Sequence, residues 1–542
     1  MTLWVGCDII STYFNALKRN ALKQELRRKV EGTFMAVKLF LLVIFFAVMV
    51  SVGLYSRRHA TSVDGFVLGG RSVGPWLTAF AYGTSYFSAV VFVGYAGQFG
   101  WKYGMASTWI GLGNAVIGSL LAWVVLGRRT KVMTQKLNSK TMPDFFGERY
   151  ESKALKIAAS VIVFIFLIPY TASVYNGLSR LFGMAFNIPY TYCVIGMAVF
   201  TGVYVILGGY MATAINDFIQ GIIMLVGICA VIGAVLSGQG GLIEAIRKMA
   251  EMPSDVPVTL GQPGAFTSFL GPDPLNLLGV VILTSLGTWG LPQMVGKFYA
   301  IKDEKSINTG TVISTIFAVI ISGGCYFLGG FGRLFDNETL YDETGAVIFD
   351  GIVPFMLSTL PDILIGVVVV LVLSASMSTL ASLVLTSSST LTLDLLKDNV
   401  MKDMDEKKQV RTMQVLVVFF IVLSVVIALD PPTFIAQLMG ISWGALAGAF
   451  LAPFMYGLYW KGVTRAAVWA SFAAGVGITV SNMYFHYIAS PINAGAAAMI
   501  AGLIVVPAVS AVTPKLEKAK MDEIFMCYEE KVTISKKRSL EE

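Results

Sequence analysis

The sequence predicts an all-α polytopic membrane protein of about thirteen transmembrane helices. Three observations carry this. Of 542 residues, 56% are hydrophobic and only 13% are charged, about half the usual ~25% of a soluble domain, and the mean hydropathy is +0.72. The apolar residues fall in unbroken runs near the ~20 that a helix needs to cross a bilayer, not in the alternating segments of a β-barrel. Lys and Arg gather in a few connecting segments, and the net charge is +7. A soluble fold of this length could not bury so much apolar surface, which excludes a soluble enzyme, a nucleic-acid binder and a disordered chain. Five cysteines (Cys7, Cys193, Cys229, Cys325, Cys527) show neither metal spacing nor a disulfide framework. Two histidines (His59, His486) are too few for a metal site or a histidine catalytic pair.

The apolar runs lie near 36–55, 74–98, 105–127, 157–182, 188–207, 211–236, 274–296, 310–333, 363–395, 409–429, 433–460, 464–487 and 491–512. Residues 352–361 read as a short extracellular helix leading into the ninth span. Basic residues concentrate on the cytoplasmic side of a membrane protein. The loops 128–156 and 396–412 and the tail after 512 are rich in Lys and Arg, whereas 334–350 holds Asp336, Glu338, Asp342, Glu343 and Asp350. Thirteen spans put the basic segments on one side, with the N-terminus outside and the C-terminus cytoplasmic, in the plasma (inner) membrane. The organisation expected is a basic N-terminal extension over 1–35, a transmembrane domain over 36–512 and a cytoplasmic tail over 513–542. Lys18, Arg19, Lys23, Arg27, Arg28 and Lys29 sit awkwardly outside. They read as a basic anchor or as an upstream extension ahead of Met35.

Two spans are built to break. The second holds Gly74-Pro75 and Tyr82-Gly83-Thr84-Ser85-Tyr86-Phe87-Ser88; the seventh holds Thr284-Ser285-Leu286-Gly287-Thr288-Trp289-Gly290-Leu291-Pro292. Backbone groups freed inside a membrane persist only where protein or a wet cavity satisfies them. A pair of interrupted spans in matching places points to a transporter's binding site. Their separation by five spans gives a five-plus-five inverted repeat, about 74–236 and 274–460, with flanking helices. Glycines that merely let helices pack closely are the plainer alternative.

The ninth span carries Ser378, Thr379 and Ser382 on one helical face. Hydroxyls together with carbonyls released at a helix break suit a hard cation such as Na⁺; back-bonding of the hydroxyls to the preceding turn is the competing reading. Asp217 is the clearest ionisable residue inside a span. Its burial costs at least ~2.5–3.5 kcal/mol, which marks it as functional unless it or Asn216 caps a helix.

The chain also resembles the sodium:solute symporter family, which includes bacterial proline, pantothenate and sialic acid transporters and animal sodium–glucose cotransporters. The matching segments are Leu68-Gly69-Gly70-Arg71-Ser72, Thr141-Met142-Pro143-Asp144-Phe145-Phe146-Gly147-Glu148-Arg149-Tyr150, Gly208-Gly209-Tyr210-Met211-Ala212 running to Asp217 and Gln220, Met377-Ser378-Thr379-Leu380, and Ser442-Trp443-Gly444-Ala445-Leu446-Ala447-Gly448-Ala449-Phe450. The resemblance implies the LeuT-type inverted repeat. It implies a principal sodium site made of the carbonyls of Thr84, Phe87 and Ala375 and the hydroxyls of Ser378 and Thr379. It implies a further sodium, or an exit path, at Asp217 with Ser378 and Ser382, although Ala381 stands where a serine is common. Candidate solute-pocket residues are Tyr86, Ser88, Tyr170, Thr288, Trp289 and Gln437. Proline transporters carry Asp at the position of Tyr86, and Trp and Tyr at Thr284 and Thr288, so proline is not the expected solute.

The function expected is sodium-coupled secondary active import of a small organic solute by alternating access, with Na⁺ as coupling ion and no cofactor, enzyme activity, nucleic acid or obligatory protein partner. No GxxxxGK[ST] loop appears that would bind ATP phosphates. The rivals are a transporter-fold receptor or sensor, for which the segment after 512 is short, an intramembrane enzyme, for which Asp217 has no evident carboxylate or histidine partner, and an uncoupled uniporter, against which Ser378 and Thr379 speak.

Overall fold

The computed structural model describes residue 36 and residues 38–529, apart from 187, 398, 402, 403, 432 and 433. The basic extension over 1–35 lies outside the described residues. So do Lys402 and the tail cations Lys531, Lys536, Lys537 and Arg538.

Apart from a longer connection between Gly238 and Pro274 that holds the helix Leu242–Glu251, the chain folds into a succession of apolar helices. They are α1 (Lys38–His59), α2 (Pro75–Tyr86), α3 (Val90–Lys136), α4 (Lys153–Phe186), α5 (Tyr190–Gly238), α6 (Pro274–Gly290), α7 (Pro292–Ala300), α8 (Glu304–Gly329), α9 (Phe349–Ser358), α10 (Ile363–Lys397), α11 (Glu406–Leu429), α12 (Ile435–Tyr459), α13 (Arg465–Phe485) and α14 (Pro491–Val512). Among the described residues, ten helices are long and apolar enough to cross a membrane, or eleven if the bent pair α6–α7 is one span. Two of the ten, α3 and α5, are 47 and 49 residues long. At 1.5 Å per residue each is ~70 Å long, about twice a ~30 Å hydrocarbon core. Each is folded back at one glycine. Gly104 has φ 58° and ψ −136°, and Gly209 has φ 54° and ψ −147°. A Cβ at Gly104 would run into the Phe266 carbonyl, and one at Gly209 would lie 2.8 Å from the Phe66 carbonyl. Dividing both runs there, and joining α2 to the first part of α3, accommodates thirteen segments.

Both suspect spans break. The second stops at Phe87, whose φ of −109° and ψ of 91° are extended, and helix resumes at Val90 after the Ser88 hydroxyl accepts the Val90 N–H at 3.2 Å. The seventh bends by 45° between α6 and α7, at Gly290-Leu291-Pro292, because Pro292 has no N–H to continue the ladder. The seventh span expected to end at 296 thus continues through Ala300. Helices α10 and α12 form the centre, with 78% and 89% of their apolar windows buried, while α1 and α11 lie outside at 28% and 33%. The short helix α9 precedes α10, as the sequence led one to expect.

Candidate ion and solute site

The break in the second span brings freed carbonyls against the hydroxyl face of α10. The Ser378 hydroxyl donates to the Thr84 carbonyl at 3.0 Å and is 3.1 Å from that of Ala375. The Thr379 hydroxyl lies 3.2 Å from the carbonyls of Thr84 and Ala375 and 3.3 Å from that of Ser85. Thr84, Ala375, Ser378 and Thr379 are therefore one oxygen cluster. Phe87 stands three residues along, at the break itself. All five residues are fully buried. Each hydroxyl has one proton and two lone pairs. A turn of the two O–H bonds away from the carbonyls would aim four oxygens at one cation, with no side-chain charge required.

Beside this cluster is a residue that the sequence reading missed. Lys297 on α7 is 3% exposed and fully inside the fold. Its ammonium donates to the Ser382 hydroxyl at 2.9 Å. It lies 3.8 Å from Asp217 Oδ2 and 5.2 Å from the centre of the Tyr210 ring. Ser382 is in turn 2.8 Å from the hydroxyl of Ser85, the neighbour of Thr84. Asp217 sits eight residues beyond the Gly209 break, well inside helix, and is 0% exposed. It is no helix cap. The helix that carries it packs flush on α2, since a Cβ at Gly221 would run into the Phe80 ring and lie 3.1 Å from Thr84 Cγ2. Asn216 and Gln220 face α1 instead, toward the Met49 carbonyl and sulfur.

The candidate solute residues divide. Tyr86 stacks on Phe87 at 4.2 Å and on Trp443 at 6.1 Å, and Tyr170 meets Trp443 edge-on at 5.9 Å. The Tyr86 hydroxyl donates to the Thr284 carbonyl at 2.6 Å. The Tyr170 hydroxyl and the Trp443 indole N–H are both buried. Ser88 is buried at the helix break. Thr288 and Trp289 turn to α3, where they donate to the carbonyls of Gly118 and Ile117 at 3.0 Å each. Gln437 lies in the first turn of α12. The aromatic set thus joins Tyr86 and Tyr170 through Trp443.

Over residues 66–475 the chain matches the sodium:solute symporter family. The chain belongs to that family. It is 28% identical over 500 residues to the sodium/proline symporter of Staphylococcus aureus, covering 88% of this chain and 92% of that protein, in strains JH9 and COL alike. Its fold is that of a solved Na⁺-coupled sialic acid symporter, with TM-score 0.70, 15% identity, 89% of this chain and 99% of that one covered. It is also similar to MhsT, solved in complex with L-phenylalanine, with TM-score 0.50, 14% identity and 80% and 98% coverage. The protein is an integral membrane transporter with the LeuT-type fold.

In this symporter several family motifs lie around one inner cavity. A narrow cavity runs from Lys297 and Ser382 past Thr386 and Ser389 to Lys140, Thr141 and Met142. Its end is held by polar pairs. The Thr141 hydroxyl donates to Asp394 at 2.6 Å, Lys156 bridges Asp144 at 2.8 Å and Asp394 at 3.6 Å, and Arg71 donates to the Ser139 carbonyl at 2.6 Å. Arg149 and Tyr150 are anchors instead: Arg149 donates to the carbonyls of Gly457 and Trp460, and Tyr150 to that of Pro453. Lys297 lies five residues past Pro292 on α7, less than two turns along that helix. The apolar window ended on it because it is charged.

Proposed function

We propose that this symporter imports a small organic solute together with Na⁺ bound by the carbonyls of Thr84, Phe87 and Ala375 and the hydroxyls of Ser378 and Thr379. The observation that carries the reading is the pair of α10 hydroxyls on the Thr84 carbonyl, at 3.0 and 3.2 Å. Na⁺ there bridges the broken helix and α10 and favours the conformation that completes the solute pocket. Coupling is then a differential affinity between states, and it is reciprocal for the two ligands. An inward potential supplies ~2.3 kcal/mol per charge per 100 mV, so one Na⁺ supports roughly 50-fold accumulation of a neutral solute before any sodium gradient is added.

Tyr86, Ser88, Tyr170, Thr288, Trp289 and Gln437, with Trp443, line the solute's route. Tyr86 replaces the Asp that would receive an amine in proline transporters, so the solute is held by hydroxyl and indole groups and is not proline. Asp217 and Ser382 mark the inner exit of the ion, where the cavity toward Thr141 begins. Residues 36–512 form the transport domain, with the repeat about 74–236 and 274–460. The loops 128–156 and 396–412 and the tail face the cytoplasm, and 334–350 and the N-terminus face outward, in the plasma membrane.

The test is a thermal-shift screen of neutral solutes against the purified protein, in Na⁺ or in K⁺ at equal ionic strength. The reading expects a solute that stabilises far more in Na⁺, and no response to proline. A stabilising solute indifferent to Na⁺, or a sodium-dependent response to proline, would contradict it.

A further inference from the structure

We propose that the Lys297 ammonium is a tethered cation that fills the second cation position of the site, so that the carrier binds a single Na⁺. The inference rests on the sodium reading above and deepens it by fixing the ion count.

The geometry carries it. Asp217 on α5 and Ser382 on α10 are the groups that would hold a second sodium, and Lys297 on α7 reaches both, at 3.8 and 2.9 Å. Both Asp217 carboxylate oxygens are buried, and the Lys297 ammonium is the group that faces them. The carboxylate's balance is therefore a cation lying against it, and among the described residues Lys297 is the one within ion-pair reach. The Ser382 hydroxyl has one proton and two lone pairs, and the ammonium takes the place beside Asp217 that a metal ion would need. Here the hydroxyl takes the ammonium and meets the Ser85 hydroxyl at 2.8 Å. The Tyr210 ring adds a third face that favours a cation.

Sodium and the ammonium carry the same charge and compete for the same oxygens. Both together would place two positive charges against the one Asp217 carboxylate in a buried site, at a large desolvation cost. The tether decides the outcome, because Lys297 is always present and cannot leave. Na⁺ at the principal site remains possible, since the ammonium's hydrogen bond goes to Ser382, one turn along α10 from Ser378 and Thr379; the Ser382–Ser85 hydroxyl pair links the two places. The lysine also does what a departing ion cannot: it keeps α7 fastened to α5 and α10 throughout the cycle.

The test counts sodium by equilibrium binding of ²²Na⁺ to the purified full-length protein, with no solute needed. The wild type is expected to bind one Na⁺ per chain. Lys297→Ala and Lys297→Gln, which free Asp217 and Ser382, are expected to bind two, and adding Asp217→Asn to either should return the count to one. Two Na⁺ in the wild type, or one in both single variants, would overturn the proposal while leaving the principal site standing. No Na⁺ in the wild type would overturn the sodium reading itself. If the neutral variants fold poorly in K⁺, high Na⁺ is expected to restore a monodisperse protein. Failure to fold in Na⁺ as well as in K⁺ would show that sodium cannot replace the ammonium, and would overturn the proposal too.

Discussion

The Lys297 ammonium and the Ser382 hydroxyl stand 2.9 Å apart, one on the second half of a bent span and the other one turn from Ser378 and Thr379 on α10. Around that contact the ion cluster, the buried Asp217 and the inner cavity meet.

Asp217→Asn is therefore not a quiet substitution. At a helix N-terminus Asn and Asp cap about equally well, and the change would pass unnoticed. Inside α5 it leaves Lys297 charged and uncompensated, and breaking one side of a buried pair costs ~3–5 kcal/mol. The variant should melt well below the wild type in detergent, and Asp217→Asn with Lys297→Met should recover much of the loss. A wild-type melting curve for Asp217→Asn would return the residue to a minor structural role.

The hydroxyl face of α10 and the two broken spans were legible because each follows from a local rule. Hydroxyls at 378, 379 and 382 must share a helical face, and Pro292 must interrupt a helix. Lys297 was not legible by the same rules. An apolar window ends at a charge, and only the packing of α7 against α5 and α10 shows that this charge stays inside. Trp289 was read by type alone: an indole suits a pocket, and its N–H donates to the Ile117 carbonyl just before the bend at Leu291. Arg149 and Tyr150 mark the family, yet their partners are backbone carbonyls around the end of α12.

The polar pairs at Asp394 should act as an inner gate. Asp394→Asn weakens the contacts to Thr141 and Lys156, so the cavity should open more often. A cysteine at Ser389, in a background without native cysteines, should then react several-fold faster with a polar thiol reagent. Equal rates with Asp394 and Asn would mean that closure rests on packing elsewhere.

Backbone geometry at the fold-back points is equally exposed to test. Gly209→Ala forces a side chain into a left-handed position against Phe66, and should cost ~1–3 kcal/mol. Gly233→Ala, in the same long helix and with open space around it, should be neutral or slightly stabilising. Melting temperatures of the two variants check this. Equal effects would deny that α5 is folded back at Gly209.

Reporter tags settle the orientation. A tag within 128–156 or after 512 should read cytoplasmic and one within 334–350 external. The same reading from both regions would reject the arrangement.

Sodium at the α2 break is the central claim, and sodium-dependent thermal stability of the Ser378→Ala/Thr379→Ala variant tests it most directly. In the wild type, raising Na⁺ against K⁺ at constant ionic strength should raise the melting temperature, approaching ~2.7 kcal/mol of stabilisation at 100 times the Kd. The double variant should fold and lose that dependence, because two of the ion's oxygens are gone. A variant that keeps the wild-type sodium dependence would place the ion elsewhere and contradict the account.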